Sequence, residues 1–595
     1  MNSNLTLSKI PLLAATIFSV VGTGVGQSAP TNGVPGIPWP ATDALGRSLP
    51  LNAEVGPLKS HRFVGIFYFL THNGIPKNPA MDEPYNVAHI LAADPEVLAK
   101  PHSPLWGPIG MSHYWGEPIW GYYNSADPWV LRRQAQMLAD AGVDTLIFDT
   151  TNAQTYRDTY LALCEVFQQI RSAGGFTPQI AFMVNTKAGE TASEIYHDLY
   201  AKGLYRDLWF QWQGKPLMIC DPADASPELK SFFTLRRAHW PFTLTNTPYA
   251  WHWETTYPQV YGYTDDPQVP EQVNVSVAQN LRAKDGKVTN MSFGDARGRS
   301  FHDGVEDKTP GAVNLGYNFQ EQWKRAFDLH PPFVMVTGWN EWTAGRWGDL
   351  NGPVVFVDQF DEEFSRDVEP MKGGHADNYY WQLVTNIRRY KGALPLPKAS
   401  APVTIQFDRP LDQWASVAPA FSDHVGETAP RDFKASTVGL HYSNQSGRND
   451  FSVLKVARDR ENVYFYARTV APVSPSHDTN WMWLMIDADQ NHATGWEGYD
   501  FIVNRTVDGN GQSWLEKNVG GWKWEKVVPV QFRVAGNELE LAMPRSALGL
   551  PSDSTHVSFD FKWADHLQHP GDIMDFYTSG DVAPDTRFNF RYSAE

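Results

Sequence analysis

The segment Phe333-Val-Met-Val-Thr-Gly-Trp339-Asn340-Glu341-Trp342 is apolar for most of its length and then ends in aromatic, amide and carboxylate side chains. A buried parallel strand reads as such a run, and α/β enzymes place their chemistry at its C-terminal tip. Glu341 is therefore the first catalytic candidate, with Trp339, Asn340 and Trp342 as substrate-binding neighbours. Other tips are acidic as well: Asp149 ends Phe148-Asp149-Thr150, Asp221 follows Cys220, and Glu254 closes the loop Trp251-His252-Trp253-Glu254. No Ser or Cys nucleophile motif stands out. Glycoside cleavage needs two carboxyls, one held protonated and one ionised, and this inventory supplies them.

Each acid also has a structural use. Asp149 and Asp221 could cap following helices, and Glu254 could be either a sugar ligand or the acid. Asn185, at the tip of another apolar run, and Trp251 and Trp253 suit a binding wall. So does His113-Tyr-Trp115-Gly-Glu117, which could equally be a packed loop. The acidic stretch 358–369, with Asp358, Glu363, Asp367 and Glu369, falls on the same face. It could meet a cation, although pairing with Arg366 and Lys372 accounts for it.

These residues need a frame. Apolar runs at 64–69, 145–150, 179–185, 216–221, 242–246, 260–263, 273–279 and 333–339 alternate with amphipathic helical patterns at 127–141, 157–173, 191–201, 317–329 and 377–390. Eight strands in that order predict an α/β fold, a (β/α)8 TIM barrel spanning 55–393. The Pro-rich run at 394–402 reads as a linker. From 403 to 595 short alternating strands separated by turn residues predict an all-β sandwich.

At 595 residues the chain exceeds one core. A net charge of −17 argues against a nucleic-acid partner, while 23 Trp and 24 Tyr are compatible with stacking on sugars. Residues 1–26 carry Lys9, an apolar segment and small residues, which predicts a signal peptide too short to span a bilayer, and hence a secreted or periplasmic protein. Cys164 and Cys220 are expected as core thiols with no disulfide framework. The sequence leaves oligomeric state open.

Val64-Gly-Ile-Phe-Tyr68, Asp127-Pro128, Ala141-Gly-Val143 and Trp339-Asn-Glu-Trp342 together resemble glycoside hydrolase family 99, the endo-acting α-mannosidases and α-mannanases. The resemblance implies an endo-acting enzyme on an internal α-linkage of a polysaccharide or oligosaccharide. In that family the last motif carries two glutamates. Glu341 matches the first, a base toward the sugar 2-hydroxyl, and Ala344 stands where the second, the general acid, would be, so Glu341 is expected as base or nucleophile and the acid must come from Asp149, Asp221 or Glu254. The C-terminal region is similar to family 9 carbohydrate-binding modules in Asn462-Val-Tyr-Phe-Tyr466 and Ile486-Asp-Ala-Asp489. There Asp487, Asp489 and Asn491 at alternate positions resemble a calcium loop, and Trp514, Trp522 and Trp524 could form a stacking face. The expectation is a glycoside hydrolase that needs no cofactor for catalysis, with a structural calcium allowed. The rivals are a polysaccharide lyase and a non-catalytic glycan-binding protein of an uptake system.

Overall fold

The computed structural model describes residues 33–594 apart from 244, 350, 509 and 552–555. The expected signal peptide lies outside them.

Eight parallel strands form the first half: β1 (Phe63–Tyr68), β2 (Thr145–Thr150), β3 (Gln179–Val184), β4 (Lys215–Ile219), β5 (Thr234–His239), β6 (Ala250–His252), β7 (Gln272–Ser276) and β8 (Phe333–Thr337). They lie in the order β6-β5-β4-β3-β2-β1-β8-β7. Helices α1 (Pro128–Ala141), α2 (Arg157–Ser172), α3 (Ala188–Ile195), α4 (Pro227–Phe232), α5 (Tyr317–Leu329) and α6 (Asn378–Lys391) pack outside. Both faces of β1 to β4 and β8 are buried, which is why these strands read as apolar runs. Phe67, Ile147, Met183, Ile219 and Met335 point into the barrel, while Ile66, Leu146, Phe182, Met218 and Val336 face the helices. Gly65 makes room inside, since a Cβ there would meet the Phe333 ring at 2.6 Å.

Helix ends follow local chemistry. Asp127 accepts from the Trp129 amide at 3.0 Å, with Pro128 in the first turn and Gly142 left-handed at the C-cap.

Two expected strands are corrected. Residues 242–246 lie beyond the fifth strand, which is Thr234–His239; its Arg236 and Arg237 mask it from an apolar-run reading. Residues 260–263 form no strand. Gly262 there makes a single bridge to Gln272, donating to its carbonyl at 2.7 Å, close enough to Ala250 that a Cβ would sit 2.3 Å from the Ala250 carbonyl oxygen. The sixth strand is Ala250–His252.

β6 and β7 are not joined by a ladder. The Gln272 side chain spans the seam instead: its Oε1 accepts from the His252 amide and its Nε2 donates to the His252 carbonyl, both at 2.8 Å. At the N-terminal end of the barrel, Glu271 accepts from Arg236, Trp212 and Trp251.

The second half is antiparallel: β9 (Ala420–Ser422), β10 (Phe451–Arg458), β11 (Asn462–Thr469), β12 (Trp483–Asp487), β13 (Phe501–Val507), β14 (Ser513–Asn518), β15 (Trp524–Ala535), β16 (Glu538–Pro544), β17 (Val557–Asp565), β18 (Asp581–Ala583) and β19 (Phe590–Ala594). These strands make one curled sheet, because the long β15 pairs β14 through its first half and β16 through its second. The curl closes a core in which Phe465 of β11 meets Phe559 and Phe561 of β17 at 5.7 and 5.6 Å. Barrel and sheet meet through buried ion pairs, Arg431 to Asp127 at 2.7 Å and Arg587 to Asp377 at 2.5 Å, and through Trp381 against Phe588. Cys164 and Cys220 are buried free thiols. No helix among the described residues is long and apolar enough to cross a membrane.

Candidate active site

The chain leaves β8 at Trp339 and returns as Arg366–Glu369, with the Gly338 amide donating to the Arg366 carbonyl at 3.0 Å and the Glu369 amide to Trp339 at 3.1 Å. This return places Arg366 over the barrel mouth. Its guanidinium divides between two carboxylates: Nη1 donates to Glu254 at 2.9 Å and Nη2 to Glu341 at 2.8 Å. Asp358 Oδ1 lies 3.8 Å from the same Nη2. The Trp253 ring sits under the guanidinium at 4.6 Å. Gln359 ties the group together, donating from Nε2 to Glu341 at 2.6 Å while its Oε1 accepts from the Arg366 amide.

The electrostatics follow from burial. The Glu341 carboxyl is pushed up to about 8, chiefly by loss of solvent, with Arg366 opposing and Asp358 and Asp367 adding. The Glu254 carboxyl rises to about 7 for the same first cause. Glu254 is fully enclosed, the Glu341 side chain is 12% exposed and that of Asp358 is 48% exposed. The carboxyls open to solvent here are thus Glu341, favouring its proton at neutral pH, and Asp358. Both approach Arg366 Nη2, so these two oxygens are no more than about 7 Å apart, close enough to act on one glycosidic bond.

The other expected residues divide between this cluster and the packing around it. Asp149 belongs to the cluster: its carboxyl feels Asp358 and Arg366, and burial raises its pKa. It caps no helix, and its Oδ1 accepts from the Thr151 amide and hydroxyl. Asp221 stands apart, paired with Arg237 at 2.7 Å. Trp253 and Glu254 are at the mouth, whereas Trp251 lies in the barrel interior against Phe333 and Glu271. Trp339, Asn340 and Trp342 are fully buried, and Trp115 and His113 nearly so. Trp342 stacks on Trp115 at 4.5 Å and donates to Glu369; Trp115 donates to Asp367, whose other oxygen accepts from the Glu341 amide at 2.6 Å. Asn340 ties β8 to the Phe69 backbone. These residues hold Glu341 in place and offer no face to a sugar in this structure. His113 packs on Tyr85, Trp106 and Phe356 and is held neutral, pushed down to about 4 by burial. Glu117 pairs with Lys372 at 2.5 Å.

Asn185 is exposed beside an open groove of about 640 Å³ that also includes Lys187, Glu190 and Asp224. It accepts from Trp240 Nε1 at 3.0 Å, and Trp240 stacks parallel to Phe242, itself 66% exposed. Trp240 also touches Trp253, so an open aromatic platform adjoins the Arg366 cluster. Arg366, Gln359, Trp240 and Phe242 are residues sequence reasoning gave no role in the site, and Asp358 it put on this face only within an acidic run that pairing with Arg366 and Lys372 would account for. The one signal was the acidic run at 358–369 with an arginine inside it.

In the sheet, Asp487 and Asp489 come together with Asp500 in place of Asn491, their ligand atoms all within 4.8 Å of one another. The Asn491 side chain is turned to the Ala493 amide. Burial and the neighbouring Asp560 and Asp500 push Asp487 up to about 8, and this oxygen set fits a hard cation. Trp514, Trp522 and Trp524 are half-buried; Trp522 packs against Trp496 at 4.5 Å and Lys526 covers Trp514.

No family model matches the chain, and no curated protein matches it. Among solved structures it is similar to the GH99 endo-alpha-mannosidase from Bacteroides thetaiotaomicron, at 13% identity, with 57% of this chain and 100% of that chain covered and a TM-score of 0.32. The same enzyme in complex with BIS-TRIS-propane gives 13% identity, 56% and 98% coverage and a TM-score of 0.33.

Proposed function

We propose that the protein is an exported glycoside hydrolase that cuts internal α-glycosidic linkages of a polysaccharide by paired carboxyls. Glu341, expected from the sequence as base or nucleophile, is instead the proton donor because its carboxyl favours its proton, and Asp358 is the second carboxyl. The observation that carries this reading is the Arg366 fork at the barrel mouth, which holds a buried, proton-retaining glutamate within reach of a solvent-open aspartate. Glu254 and Asp149 shape the field around them. The Trp240 and Phe242 rings form a stacking surface beside the groove at Asn185. The α-linkage and endo action follow the sequence resemblance. The Asp487, Asp489 and Asp500 cluster takes a structural calcium that the chemistry does not use.

One observation favours a second reading, a glycan-binding protein without turnover. Ala344 is buried in a short strand paired with Ser112–Tyr114, so nothing acidic stands where the resemblance asks for a second glutamate.

Oligosaccharide release from α-mannans, α-glucans, fucans and pectic glycans, followed by mass spectrometry, decides between them. Hydrolysis predicts products of several sizes from the wild type, a fall of about 10³-fold in Glu341→Gln and about 10²-fold in Asp358→Asn. Products with ultraviolet absorbance would make the protein a lyase, and glycan binding without products would make it a binder.

A further inference from the structure

A second group of acids lies far from the barrel mouth, where α1 meets the curled sheet. Asp423 follows β9, Glu427 lies in the next loop and Asp581 opens β18; their ligand atoms all lie within 4.8 Å of one another. Glu427 is 5% exposed and Asp581 2%. Asp581 spends one oxygen on the Phe451 amide at 2.7 Å, and its carboxyl otherwise meets the Glu427 carboxyl, within hydrogen-bond reach, so that the pair has no donor unless it shares a proton. Asp423 Oδ2 and Glu427 Oε1 are likewise buried without a donor among the described residues. Carboxylate oxygens left unmatched in a dry interior cost several kcal/mol each unless a cation or a proton meets them.

The local charges do not balance. Asp140, Asp423, Glu427, Asp450, Asp581 and Asp585 act on one another here, and the basic groups among them are Arg132, Arg133, His424 and Lys562, with Arg431 beside them neutralised by Asp127 at 2.7 Å. With every group charged, two negative charges stay uncompensated. None of His424, Arg133 and Lys562 hydrogen-bonds the three clustered carboxyls: His424 goes to Asp140 at 3.1 Å, Arg133 to the Trp129 ring and the Glu427 carbonyl, and Lys562 to the Pro584 carbonyl. A cavity of about 20 Å³, lined in part by Glu427, Asp581 and Asp585, has room for one small ion or water and no more.

We propose that Asp423, Glu427 and Asp581 bind a divalent cation, calcium, which fastens the curled sheet to α1. An all-oxygen donor set selects a hard cation, and carboxylates brought from three separate segments suit the variable geometry of calcium better than the strict octahedron of magnesium. This site shares no residue with the Asp487, Asp489 and Asp500 cluster.

The test uses full-length protein stripped with a chelator, then melted with and without saturating calcium. The midpoint is expected to rise by about 5 °C or more. Asp489→Asn should keep the part of that rise that comes from this site, and Glu427→Gln and Asp581→Asn should lose that part. Calcium content by atomic emission should be one ion lower in Glu427→Gln than in the wild type. If neither variant at Glu427 or Asp581 folds, Asp489→Asn decides alone: one retained calcium supports the site and none overturns it. A wild-type midpoint indifferent to calcium, or a rise that disappears in Asp489→Asn and persists in Glu427→Gln, also overturns it. In that case shared protons, not a metal, quiet the carboxyls.

Discussion

Glu254 and Glu341 take separate arms of one guanidinium, so their protonation is set by a single side chain. Arg366→Lys keeps a charge but loses the fork. Arg366→Met removes the cation that opposes burial at both glutamates, and the Glu341 carboxyl then climbs above about 8. If Glu341 is the proton donor, the alkaline limb of kcat/KM moves to higher pH in Arg366→Met while the overall rate falls; a limb that stays in place detaches Glu341 from the proton transfer. Glu341 was legible in the sequence because an acid at the end of an apolar run marks a strand tip. Arg366 was not, because it reaches the same spot only after the chain has left β8 and come back. The sequence offers Trp339 and Trp342 as substrate-binding neighbours of Glu341. They turn out to be the packing that fixes its backbone, a use that residue type alone does not distinguish from stacking.

At the scale of elements, the barrel is legible where strands are buried on both faces and hidden where they are not. β1 to β4 and β8 carry unbroken apolar runs. β5 carries Arg236 and Arg237, one buried against Glu271 and one paired with Asp221, and so it reads as a loop. β6 is three residues long and has no ladder on one side, which left its position to a guess. The Gln272 amide substitutes for two backbone hydrogen bonds there. Gln272→Ala leaves the His252 amide and carbonyl without partners in a closed interior, at a cost of about 2 kcal/mol. The expected outcome is a lowered melting midpoint with loss of hydrogen-exchange protection centred on His252; uniform protection in the variant would show that the seam is held by other contacts.

For the molecule as a whole, acids that keep their protons are numerous. Glu254, Glu341 and Glu369 are all lifted from an ordinary 4.5, to about 7, 8 and 8, first by burial. A carboxyl raised in the folded state stabilises the fold fully below its unfolded pKa, and that contribution is lost as pH rises through the folded value. The melting midpoint is therefore expected to fall between about pH 5 and pH 9, and Glu369→Gln, a neutral isostere, should flatten the fall; a midpoint that rises over that range would contradict the burial-driven shifts. The two-part arrangement was readable from the change in strand pattern after residue 403. The way the halves meet was not, since Arg431 with Asp127 and Arg587 with Asp377 are separated by hundreds of residues and leave no local pattern.

The glutamine seam has one more consequence. Every other joint around the barrel is made of backbone, whose spacing no substitution can retune, but the joint at β6 is a side chain with rotatable bonds. Glu254 stands two residues beyond it. The distance between the enclosed glutamate and the rest of the fork is thus governed by an adjustable latch, and evolution or an engineer could reset the spacing of the site by changing one amide far below it, without touching any acid.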